Sequence, residues 1–125
     1  MSKFSLRKRI QSFRFAFRGI GLVLRYEHNA WIHLFATIVV IGFGLWLKIS
    51  RPEWLFLILC IGMVFMAEGF NTAIEHLSNA VTREENSSIK KAKDVAAGAV
   101  LMAAIVSASI GLLIFIPHLL LKFNG

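Results

Sequence analysis

Charge is scarce in this chain, and acid is scarcer than base. Charged residues fill 17% of its 125 positions, against about 25% in soluble domains, and Asp and Glu together number 7. Hydrophobic residues reach 57%. A soluble core of one domain's length cannot hide that much apolar surface, so lipid must act as a second solvent. Cysteine is nearly missing as well. Cys60 stands alone within an apolar run, which excludes an intrachain disulfide framework and any cysteine-rich metal site; it reads as a small lipid-buried hydrophobe. There is no GxxxxGK[ST] phosphate loop and no protein-kinase signature, and Gly19-x-Gly21 and Gly42-x-Gly44 are too short to count. The basic start is followed by an Arg-studded segment instead of a compact apolar stretch with a cleavage site, so no cleavable signal peptide is expected.

What is present falls into four helical units. From Ser5 to Tyr26, the apolar residues Leu6, Ile10, Phe13, Phe17, Ile20 and Leu24 recur at helical spacing, within an arc of about 80° at 100° per residue. Arg7, Arg14, Arg18 and Arg25 form a narrow stripe beside them. This pattern predicts an amphipathic surface helix over 5–26, with guanidinium groups meeting lipid phosphates.

Three apolar stretches follow. Ala30–Leu47 is broken only by His33. Trp54–Ala67 is short until it is continued through AEGFNTAIEHL. Val95–Ile116 is uninterrupted and ends at Pro117. Together they predict spans over 30–48, 53–80 (with a cytoplasmic extension) and 92–117. Between the first two lies a connector whose Pro52 suits a helix start, and between the last two a polar loop runs from Ser78 to Lys91. The expected fold is therefore an all-α, three-span, multi-pass membrane domain occupying 1–125.

Lys and Arg fix its orientation. Three spans put Lys3, Arg7, Lys8, Arg9, Arg14, Arg18, Arg25, Arg83, Lys90, Lys91 and Lys93 on one side, and Lys48, Arg51 and Lys122 on the other. The richer side is cytoplasmic. The net charge of +7 is thus mainly topology, and nucleic acid is not an expected partner. Ala99, Ala103, Ser107 and Gly111 set small side chains every fourth residue along the last span, a ridge that permits close helix approach. Three helices enclose few polar groups, so a homo-oligomer is expected.

The acids gather at one level. Glu27 precedes the first span, and Lys93-Asp94 opens the third on the same side. Glu68 lies about 21 Å along the second helix from Trp54 and Glu75 about 10 Å further, at 1.5 Å per residue. Glu27, Glu75, Lys93 and Asp94 then share one depth at the cytoplasmic boundary, with Glu68 beneath them. Glu68, Asn71, Thr72 and Glu75 fall on one helix face, and an intramembrane carboxylate marks a functional site by default. Surface carboxylates suit Mg²⁺ with nucleotide phosphates, while a deeper one suits proton abstraction from a lipid hydroxyl. Spacing alone leaves two readings open, a membrane enzyme or a carboxylate-dependent transporter.

The stretch EGFNTAIE, Glu68 to Glu75, with KDVAAGAV, Lys93 to Val100, resembles the small prokaryotic diacylglycerol kinase family, which includes undecaprenol kinases. Glu27 to His33 is similar to the E-x-N-x-x-I-H pattern of its undecaprenol-kinase-like branch. The resemblance covers essentially the whole chain. It implies a homotrimeric bundle in the bacterial plasma (inner) membrane, with the N-terminus and shared active sites cytoplasmic and the C-terminus outside. It also implies transfer of the ATP γ-phosphate to undecaprenol or diacylglycerol. By this resemblance Glu68 is the catalytic base, Glu27 and Glu75 hold Mg²⁺ with ATP, Lys93 and Asp94 attend the nucleotide, and Asn71 is a further active-site position. Two positions depart from the pattern: Asn79 replaces a usual aspartate and Asn86 a common histidine. The alternatives to a kinase are a small transporter relaying protons through Glu68 and Glu75, and a catalytically silent membrane subunit.

Overall fold

The chain breaks into helices where its capping residues demand it. The computed structural model describes residues 3–125 and contains four helices: α1 Leu6–Tyr26, α2 His28–Leu47, α3 Arg51–Val81 and α4 Ser87–Asn124. Ser5 caps α1 by accepting from the Lys8 amide. Glu27 alone, in extended backbone, separates α1 from α2. The following turn is tight because Lys48 adopts a left-handed conformation (φ 53°) and the Ile49 amide returns to the Gly44 carbonyl at 3.2 Å. Ser50 and Glu53 then form a reciprocal capping box, with Pro52 in the first turn. This satisfies amide groups that a helix start leaves free.

All three later helices are long and apolar enough to cross a membrane. α3 and α4, at 31 and 38 residues, extend about 46 and 57 Å, well beyond a hydrocarbon core of about 30 Å. Both overrun the limits read from sequence. α3 continues to Val81 and α4 starts at Ser87, so the polar loop shrinks to a short turn. Asn86 makes this possible: its side chain accepts from the Ser88 and Ile89 amides at 3.0 and 3.1 Å and starts α4 early.

α4 also runs through Pro117 to Asn124 instead of stopping there. Proline forfeits one helical hydrogen bond, and contacts on either side offset the loss. His118 meets Glu53 of α3, Lys122 lies over the Trp46 ring at 4.9 Å, and Phe115 packs on Phe43.

The apolar core sits at this same end, where Ile49, Leu57 and Ile114 are buried beneath Trp54 and Phe115. Gly44 permits it: a Cβ there would meet the Trp54 ring at 2.6 Å. Further along, α3 and α4 form the main pair. Ala103 is buried and the Ser107 hydroxyl donates to the Cys60 carbonyl at 3.4 Å, so part of the small-residue ridge serves contact within the protomer. Most large apolar side chains, among them Phe35, Leu59 and Leu113, remain exposed. In water such a surface would aggregate; in lipid it is solvated.

Candidate active site

Opposite the apolar core, the α1–α2 and α3–α4 junctions meet around the upper part of α3. Tyr26 packs edge-on against His76 with ring centroids 5.4 Å apart, and Val23 lies 4.0 Å from where a Gly69 Cβ would stand. These contacts hold the end of α1 against α3 and so bring Glu27 to Glu75.

α2 and α3 are antiparallel neighbours, and their polar residues meet in two tiers. In the upper tier the Glu27 and Glu75 carboxyl groups face one another, with Lys93 and His76 near enough to act on Glu75. Both acids are partly buried. Like-charged carboxylates at this range repel unless a cation or a proton lies between them. The pair therefore fits a divalent ion that takes one or two protein carboxylates and draws its other ligands from phosphates and water. No group of three or more potential protein ligands gathers among the described residues.

The lower tier lies about two helical turns away, six residues on from Glu27 and seven back from Glu75, about 9 and 10 Å. Here His33 Nε2 stands 3.0 Å from Glu68 Oε1. Glu68 is wholly buried, at 0% exposure. The approach of His33 is oblique, and neither carboxylate oxygen of Glu68 receives a well-aligned hydrogen bond. One turn on, buried Asn71 also leaves its Oδ1 without a donor. Unsatisfied buried oxygens cost about 1–3 kcal/mol each, more for a charged group. Three on adjacent turns form an acceptor-rich recess suited to a hydroxyl donor. Thr72 does not compete for it, because its hydroxyl bonds back to the Glu68 carbonyl at 2.9 Å.

Lys93 and Asp94 part company. Lys93 donates to Asn79 Oδ1 at 2.9 Å, across the α3–α4 turn. Asp94 pairs with Lys90 at 2.8 Å and stays two-thirds exposed, at 66%. Glu27, Glu68, Asn71, Glu75 and Lys93 thus gather at one end of a single protomer, while Asp94 is turned to its own helix. His33, which closes the E-x-N-x-x-I-H pattern in the sequence, stands beside Glu68. One residue enters that the sequence reading left outside the site, Lys90, which carried an i, i+4 signal toward Asp94.

Apolar grooves flank this region. One of about 840 Å³ runs between α1 and α3 past Val23, Phe65 and Gly69 to Thr72 and His76. Another of about 980 Å³ runs along α3 and α4 past Met66 and Phe70 to Lys91.

The sequence is similar to proteins of known activity. A family profile described as prokaryotic diacylglycerol kinase matches residues 14–115. Undecaprenol kinase of Bacillus subtilis (strain 168) is 42% identical over 114 residues, covering 91% of this chain and 93% of the relative. Diacylglycerol kinase of Synechocystis sp. (strain PCC 6803) is 34% identical over 110 residues, 87% of this chain and 63% of the relative. With one profile spanning most of the sequence and one relative aligned almost end to end, the chain belongs to the prokaryotic diacylglycerol kinase family.

Proposed function

We infer that the protein is a membrane lipid kinase that transfers the γ-phosphoryl group of MgATP to the primary hydroxyl of a membrane lipid, with Glu68 as general base. The observation that carries this reading is the buried Glu68 carboxylate, short of donors, one tier below a facing Glu27–Glu75 pair. A water-soluble nucleotide and a lipid hydroxyl meet at such a boundary, the phosphates above and the hydroxyl below.

Glu27 and Glu75 would hold Mg²⁺, which when bound supplies charge neutralisation to the nucleotide phosphates. Lys93 adds a cation at the same level. Phosphoryl transfer depends mainly on positioning and charge stabilisation. In the lower tier Glu68 takes the hydroxyl proton as the lipid oxygen bonds to phosphorus and ADP departs. Asn71 Oδ1 shares that recess and helps orient the hydroxyl. An apolar groove beside α3 suits the lipid body.

Undecaprenol is the favoured substrate over diacylglycerol. The Glu27-to-His33 pattern supports it, as does the 42% identity to a relative named undecaprenol kinase. The functional form is a homotrimer, in keeping with the apolar faces that α2 and α4 leave open. Its N-terminus and site are cytoplasmic and its C-terminus outside, as the Lys and Arg distribution directs. α1 lies in the interface, its apolar residues in acyl chains and its arginines among phosphates. Residues 1–125 form one kinase domain.

The test is a competition assay in mixed micelles with Mg²⁺, γ-labelled ATP and equal diacylglycerol and undecaprenol, alongside Glu68→Gln. Label in undecaprenol, lost in the variant, is expected. A folded wild-type protein that labels neither lipid would sink the reading.

A further inference from the structure

Glu68 poses a problem that its role as a base creates. Each turnover leaves it carrying the hydroxyl proton, and a fully buried carboxyl has no water to give it to. A base that is not reset works once.

Among the described residues, one titratable side chain touches it: His33, with Nε2 at 3.0 Å from Oε1. The two differ in exposure. The Glu68 side chain is 0% exposed and that of His33 is 21%, so the imidazole reaches from the enclosed carboxyl to the surface of the protomer. The surroundings offer no rival. α4 carries no titratable residue between Asp94 and His118. Glu27, at the α1–α2 junction, acts on Glu68 through space, and Glu75, Lys93 and His76 stand in or beside the upper tier. The Thr72 hydroxyl is bonded to the backbone.

We propose that His33 is a positioning residue for Glu68 and the outlet for its proton. This rests on the kinase reading above. The lipid O–H bond breaks, the oxygen bonds to phosphorus, and the proton passes to Glu68. It then moves from the carboxyl to the Nε2 lone pair of neutral His33. As ADP leaves and water enters from the cytoplasmic side, the imidazolium yields its Nδ1 proton to that water, which restores the carboxylate and leaves the Nε2–H tautomer; exchange through the same water frees Nε2 for the next turnover. No further reactant is required. Between turnovers the His33 ring, 3.0 Å from Oε1, also restrains the Glu68 rotamer.

His33→Gln separates this role from packing, since glutamine keeps a hydrogen-bonding group near the same place but does not take up and release a proton. The variant is expected to fold, to keep the wild-type KM for MgATP, and to lose about 100-fold in kcat, the lower end for general acid–base groups. Its kcat profile should lack a pH limb that the wild type shows. In His33→Ala, added imidazole should restore part of kcat. A His33→Gln enzyme with wild-type kcat and an unchanged pH profile overturns the proposal while leaving the kinase reading intact. So does a His33→Ala enzyme that is folded and slow but indifferent to imidazole. A folded wild-type protein with no transfer to either lipid overturns both.

Discussion

Lys93 reaches back 14 positions to donate a hydrogen bond to Asn79 at 2.9 Å, and so ties the start of α4 to the end of α3 beside Glu75. An amide receives the ammonium without neutralising it, which leaves its full charge for a nucleotide phosphate. Asn79→Leu is expected to raise KM for MgATP by up to about tenfold, the scale of one hydrogen bond to a charged group, with kcat little changed. Asn79→Asp keeps the anchor and should fall between the two. Steady-state kinetics at varied ATP decide it, and an unaltered KM in Asn79→Leu removes the anchoring role.

Glu68→Gln should separate stability from activity. Replacing a buried, poorly paired carboxylate with a neutral amide removes a desolvation penalty, so the thermal midpoint in detergent should rise. Transfer should fall by about 10³-fold, within the range for a lost general base. A variant that is both less stable and still active contradicts the placement of Glu68 as an unsatisfied base.

The Glu27–Glu75 pair predicts a sharp dependence on divalent cation. Chelation should abolish transfer while leaving the helical circular dichroism signal unchanged, and Mg²⁺ should restore it. Glu75→Gln should require at least tenfold more Mg²⁺ for half-maximal rate, the order expected when a metal site loses a supporting carboxylate. Transfer that persists through chelation would remove the metal role from these acids.

At the other end, Gly44→Ala should destabilise the protein by about 1–3 kcal/mol, the usual cost of overpacking. A Cβ at Gly44 would stand 2.6 Å from the rigid Trp54 ring. Unfolding in mixed micelles measures it. An alanine tolerated without loss would mean that the Trp54 ring is free to move.

The His118 contact with both Glu53 carboxylate oxygens, at 3.0 and 3.1 Å, joins the far ends of α3 and α4. His118→Ala should lower stability by about 1 kcal/mol without changing KM for MgATP, because the clasp lies a helix length from Glu75. Should nucleotide kinetics shift instead, the two ends are coupled.

Much of the architecture follows from the order of the residues alone. Apolar runs too long for a soluble core dictate membrane-length helices, and Ser50, Pro52 and Glu53 carry their own start signal. Helical periodicity also puts Glu68, Asn71 and Glu75 on one face, because that geometry is local. Helix ends were harder to read. Pro117 looks like a stop until Glu53 and Trp46 are brought against His118 and Lys122, and Asn86 looks like loop until its side chain caps α4.

Pairing across helices belongs to the tertiary structure. Nothing in a single sequence says that His33 meets Glu68, that Glu27 faces Glu75, or that Lys93 chooses Asn79 while Asp94 keeps Lys90. Those choices depend on the rotation and register of neighbouring helices, which are set by distant contacts such as Gly44 on Trp54 and Val23 beside Gly69. The sequence by itself determined which groups exist, their depth and the face each helix gives them. The packing decided which of them touch, because a polar group in an apolar bundle finds a partner only where another helix delivers one.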